Sequence, residues 1–194
     1  MIWLALAPLA QALELADLAP AWEHVESGLA GTDDDDQATG VAFDASGNIV
    51  VSGWLDSTTE HGHDGVVIAF TPNGTELWRS VSDSGVNGVD VQTSDDRWHA
   101  LAVDPTNGDI ALCGQAGASN NGFVWQAELH TADLASNIWR FPFNDGLDSP
   151  TQACTGVALT ATKVVTVGWT DGSPTTLGQW RALSQGRVQP IVEL

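Results

Sequence analysis

Three sets of side chains in this sequence could do chemistry. Asp33, Asp34, Asp35 and Asp36 form a run of carboxylates of the kind that can gather around calcium, which prefers clustered carboxylate and carbonyl oxygens. The run lacks a D-x-D-x-D-G loop with a distal glutamate, so an EF-hand is excluded, and a solvated acidic loop is the simpler account. No cofactor is expected, with calcium at this run as the alternative. Nine tryptophans could provide flat faces for sugar rings. Trp54, Trp169, Trp98 and Trp125 are the candidate ligand-binding residues, set against a plain packing role for large aromatics. Cys113 and Cys154 are the only thiols. Either they sit half-buried in strands, or they form a disulfide closing a loop of about 40 residues, a constraint of roughly 4 kcal/mol in the chain-entropy picture.

The remaining signals argue against familiar reactions. His24, His61, His63, His99 and His130 are the five histidines, but no G-x-S-x-G elbow accompanies them, and the H-G-H at 61–63 could hold a metal only with distant help. Neither cysteine has zinc-ligand spacing or a CxxC partner. No catalytic residue is assigned, and paired carboxylates for a hydrolase or lyase cannot be picked from 25 acidic residues without geometry. The balance of 25 acidic to 6 basic residues, a formal charge of -19, excludes a general binder of nucleic acid or anionic lipid, because a field of that sign repels both. An apolar content of 43% argues against wholesale disorder.

Any such side chains must be positioned by an internal repeat. GVAFDASGNIVVSGW from Gly40, ALAVDPTNGDIALCGQ from Ala100 and GVALTATKVVTVGW from Gly156 align. Each opens on an alternating pair, Val41/Phe43, Leu101/Val103 or Val157/Leu159, the period-two signature of a strand. Each turns at 44–48, 104–108 or 160–163 and runs into a second strand ending at Gly53, Gly114 or Gly168. Asp44 and Asp104 are read as turn caps that accept backbone N–H bonds. Two further strands follow in DGVVIAFTPNGTELWRSV and NGFVWQAELHTADLASNIWRF, with Asn73-Gly74 as a hairpin turn and Trp78 and Trp139 at matching places.

Four strands per unit of about 55 residues is the grammar of a propeller blade. The expected fold is therefore all-β and β-propeller-like, with about three and a half four-stranded blades. Residues 1–31 form a half blade, with strands at 2–8 and 20–27, and 32–83, 84–144 and 145–194 are full blades. The alternative for the N-terminus is a short signal peptide to about residue 12, since Ala10-Gln11-Ala12 offers a cleavage pattern, although no Lys or Arg precedes Arg79. No stretch has the roughly 18 apolar residues of a membrane span. Propellers close with about four to eight blades. Such an arc is therefore part of a longer propeller chain, or is completed by a second copy of itself, or collapses into a sandwich-like stack.

GVAFDASGNIVVSG followed by DGVVIAFTPNGTELW resembles the seven-bladed β-propeller repeat of large secreted and surface proteins of bacteria, in its Gly- and Asp-rich myxobacterial-type versions. Thr160 in place of the strand-end Asp, and Phe70 in place of a basic residue, depart from that pattern. The resemblance implies an exported, extracellular or cell-envelope protein and a non-catalytic binding or structural role. Its ligand, a glycan or a protein, would sit on the rim near the 55–64 and 115–122 loops. The alternatives are a lectin-like propeller that uses rim tryptophans, a truncated fragment of a larger propeller protein and, last, a hydrolase or lyase.

Overall fold

The computed structural model describes residues 21–26, 36–56, 63–82, 95–117, 123–133, 137–143, 152–160, 162–170 and 179–186. The described part is all-β and holds eleven strands: β1 Gln37–Phe43, β2 Ile49–Asp56, β3 His63–Phe70, β4 Glu76–Ser82, β5 Arg97–Val103, β6 Ile110–Gly117, β7 Phe123–His130, β8 Asn137–Phe143, β9 Gln152–Leu159, β10 Lys163–Thr170 and β11 Gln179–Gly186. They form three antiparallel meanders, β1-β2-β3-β4, β5-β6-β7-β8 and β9-β10-β11. Among these residues no helix is long and apolar enough to cross a membrane. The expected strand at 2–8 and any fourth strand in 187–194 lie outside the described residues.

The tight turns form where local chemistry demands them. Asp44 Oδ1 accepts the N–H of Ser46 at 2.7 Å and of Asn48 at 2.9 Å, while Gly47 takes φ 80°, a left-handed conformation that costs glycine nothing. Asp104 repeats the device on the N–H of Thr106 at 2.9 Å. In the third unit the Thr160 hydroxyl replaces the carboxylate and accepts from Lys163 at 3.0 Å.

Each first strand carries one extra residue, and this feature repeats three times. Thr39, His99 and Thr155 are unpaired residues between Ala38 and Gly40, Trp98 and Ala100, and Cys154 and Gly156. Facing each bulge is a glycine, Gly53, Gly114 or Gly168, and the second strands do not end there as expected but run on to Asp56, Gly117 and Thr170. A Cβ on the glycine would stand about 2 Å from the carbonyl oxygen of Gln37, Arg97 or Ala153. These glycines of the second strands are thus required by close backbone approach.

The sheets stack face on face in chain order. Val50, Val67 and Ala69 of the first meet Trp98, Ile110 and Leu112 of the second, with Trp78, Leu101 and Val103 at the margin. Thr39 Oγ1 crosses this junction to the carbonyl of Trp98 at 2.6 Å. The second and third sheets share Ala111, Leu129 and Val164, with Ile138, Val157 and Leu159 against them. Beside that cluster Trp125 packs on Cys113 and Cys154. The two cysteines are joined, 41 positions apart in sequence, and the bond links β6 to β9 across the second junction.

The N-terminal expectation needs correction. Residues 21–26 form no strand. They cross the outer face of the first sheet instead, where alternate side chains reach it. Trp22 and His24 meet Phe70 at ring separations of 5.6 and 4.7 Å, and Glu26 bonds Arg79 at 2.6 Å. Trp22 Nε1 donates to the Pro72 carbonyl, so the segment is anchored by side chains, without a ladder. β3 is consequently buried on both faces, which is why its sequence, GVVIAF, is a nearly continuous apolar run.

Candidate functional site

The end of the stack where β2 finishes and β3 and β5 begin gathers His63, Asp95, Arg97 and His99 around Trp54. Arg97, the first residue of β5, grips Asp95 with two bonds, Nε to Oδ1 at 2.8 Å and Nη2 to Oδ2 at 2.9 Å. His63, the first residue of β3, places Nδ1 2.9 Å from both Asp95 Oδ1 and Arg97 Nη2. Nδ1 thus lies between an acceptor and a donor. It accepts from Arg97 when bare and donates to Asp95 when protonated.

Trp54, near the end of β2, forms the floor. The Arg97 guanidinium lies 5.3 Å from its ring centroid, and His99 and His63 meet it edge-on at 5.6 and 6.4 Å. Such cation–π stacking holds a guanidinium in place. Trp54 Nε1 is buried without a hydrogen-bond partner among the described residues. His99, the bulge residue of β5, reaches Gln115 at 3.4 Å. Burial, with Arg97 nearby, pushes the His99 pKa below the usual imidazole value and favours its neutral ring.

Asp96 turns away from this group. It is buried and its Oδ1 accepts the N–H of Gly117 at 3.1 Å, while its own N–H donates to the His63 carbonyl at 2.7 Å. Asp36 holds the equivalent place in the first sheet and accepts the N–H of Asp56 at 2.7 Å. The member of the acidic run that the structure describes therefore bonds backbone at a strand end, while Asp33, Asp34 and Asp35 lie outside the described residues. His61 does too, so the H-G-H pair is represented by His63 alone, bound to Asp95 and Arg97.

The four candidate tryptophans divide by exposure. Trp125 is fully buried against the disulfide, Trp98 is 4% exposed over Gly65, and Trp54 is 8% exposed. Trp169 is half-buried on β10. They do not form one platform. Trp54 and Trp98 share the first junction, Trp125 belongs to the second, and Trp169 faces the far side of the third sheet.

Two other features could take a ligand. A cavity of about 260 Å³ opens on the outer face of the first sheet, lined by Trp22, Val51, Leu55, Ile68 and Phe70 among others. Near it His24, Glu26 and Glu76 bring their ligand atoms within 4.8 Å of one another. Arg79 already bonds both carboxylates, at 2.6 and 2.7 Å, and holds each below the ordinary glutamate range. A cation would have to displace that guanidinium, so the group is an ion-pair network.

Chemically, the rim site can hold a fixed guanidinium and an oriented imidazole over an indole. Among the described residues no hydroxyl or thiol is hydrogen-bonded to His63 or His99, so the parts of a nucleophilic triad are not assembled. No protein-family model and no curated protein matches the sequence.

Proposed function

We propose that this chain is a non-catalytic repeat module of the β-propeller type, from an exported or cell-surface bacterial protein, with a binding or structural role. The observation that carries the reading is that one junction is made twice. In each case the first strand of a sheet lies against the preceding sheet, and the apolar pair of that strand packs into the shared core. The bulge and its facing glycine recur in all three sheets, which is the behaviour of a single structural unit repeated along an axis. The disulfide supports an oxidising compartment.

The binding surface under this reading is the loop-bearing rim around Trp54, His63, Arg97 and His99, and its ligand is a glycan or protein that presents an acidic group to Arg97. Its other partners are further sheets of the same design. A carbohydrate platform built from all four tryptophans draws little support, because three of them are buried. Titrating neutral and acidic glycans and peptides while following tryptophan emission tests the binding role. The expected result is a saturable shift with acidic ligands, lost in Arg97→Ala and Trp54→Phe. A flat response to every class would remove the rim as a ligand site and leave a structural role.

A further inference from the structure

Strands β1, β5 and β9 carry an apolar pair at one register. Val41 and Phe43 pair with Val51 and Ile49, Leu101 and Val103 with Leu112 and Ile110, and Val157 and Leu159 with Thr166 and Val164. Leu101 and Val103 pack against the core of the first junction, and Val157 and Leu159 against that of the second. Val41 and Phe43 are each 67% exposed. The segment 21–26 covers Phe70 and Arg79 on β3 and β4 and leaves this pair on β1 open.

The other end of the stack shows the complementary half. Val164 and Thr166 of β10 are buried toward the second sheet, so the alternation turns Val165, Val167 and Trp169 outward. Val167 is 38% exposed, and Val165 and Trp169 are half-buried. By register Trp169 stands where Trp54 stands in the first sheet, adjoining the bulge-facing glycine. Thr155 occupies the bulge position of Thr39, whose hydroxyl crosses the first junction to the Trp98 carbonyl. The Thr155 hydroxyl is exposed and has only a 3.5 Å bond back to Val167.

We propose that a second copy of this chain docks its β1 on the outer face of the third sheet and so makes the internal junction a third time. Val41 and Phe43 of the second copy cover Val165 and Val167, and Thr155 Oγ1 donates to the second copy's Ala38 carbonyl, the register equivalent of Trp98. This rests on the repeat-module reading above. The contact is head-to-tail, a type that generates rings where the rotation closes. Two copies bring six of the described sheets, within the range of about four to eight at which propellers close. Mutual repulsion between two strongly acidic chains makes the pairing stronger as salt is added.

Size-exclusion chromatography with light scattering at low and high salt, run beside circular dichroism, tests this. The wild type is expected to give twice the chain mass, more completely at high salt. The double variant Val41→Glu/Phe43→Glu and the single variant Val167→Glu change exposed side chains. Each is expected to keep its β-sheet spectrum and to run at the mass of one chain, while an equimolar mixture regains the two-chain mass through the one intact pair of faces. A folded wild type of one-chain mass at every concentration overturns self-docking and leaves the module reading standing. A mixture that stays monomeric, or a variant set in which only one face matters, overturns the head-to-tail contact. A wild type without a β-sheet spectrum overturns the module reading itself.

Discussion

Four aspartates that could serve as chelators or bases are committed to backbone amides. Asp44 and Asp104 close turns, and Asp36 and Asp96 hold the N–H groups of Asp56 and Gly117 at strand ends. Asp104 is buried, so its loss takes the acceptor from the Thr106 amide and hydroxyl. Asp104→Ala is expected to cost about 2 kcal/mol in urea unfolding, with Asp104→Asn milder because it keeps an acceptor. Glu128, on β7, is a buried acid of the second sheet. It bonds His130 at 2.7 Å, Gln126 and Arg140. Burial opposes its ionisation, but the His130 hydrogen bond and the charges of Arg140 and His130 outweigh that and hold its pKa below the ordinary value. A lowered carboxylate pKa gives stability that is present above the unfolded value, about 4.5, and is lost as pH falls through the folded one. Stability is therefore expected to drop below about pH 4.5. In Glu128→Gln it is expected to be lower by about 2 kcal/mol at neutral pH, with a flatter acid limb. Equal acid slopes for the two proteins would show that Glu128 is not the group involved.

At the scale of elements, the bulge and its glycine decide how each first strand runs. Gly114→Ala sets a Cβ 1.9 Å from the Arg97 carbonyl oxygen, an overlap only a backbone shift relieves, so a loss of about 2–3 kcal/mol is expected. The same change at Gly47 meets open space, and its cost is confined to the positive φ. Thermal melts of the two variants separate steric from conformational strain. The hairpins were legible in the chain because turn chemistry is local: Asp, Gly and Asn within five residues name the turn before any tertiary contact exists. The bulges were not, since Thr39, His99 and Thr155 fit no local turn or bulge motif, and only their position opposite a glycine unites all three. The rim site was half legible. Trp54 and the His63 motif stood out, but Asp95 and Arg97 join them across more than thirty residues, a distance no short motif spans. The segment 21–26 resembled a strand because Trp22 stands ahead of Gly40 much as Trp78 stands ahead of Ala100 and Trp139 ahead of Gly156, but its alternate side chains serve as anchors instead.

For the whole molecule, the two internal junctions are held differently. The first relies on packing, the Thr39–Trp98 bond and the contacts of His63 with Asp95, Asp96 and Arg97. The second adds the Cys113–Cys154 bond. Replacing both cysteines with serine is expected to lower stability by about 4 kcal/mol on loop length alone, measured by denaturant titration. Reduction of the wild type should shift the midpoint equally, and a variant as stable as the parent would mean that the unfolded chain is already constrained between those positions.

This asymmetry has a mechanical side. Pulled from its two ends, the chain would carry the load through β1 to β5 and through β10 and β11, while β7 and β8, inside the loop that the disulfide closes, would bear none. The closed loop withholds a stretch 41 positions long, about 140 Å of extension, which only a reductant releases.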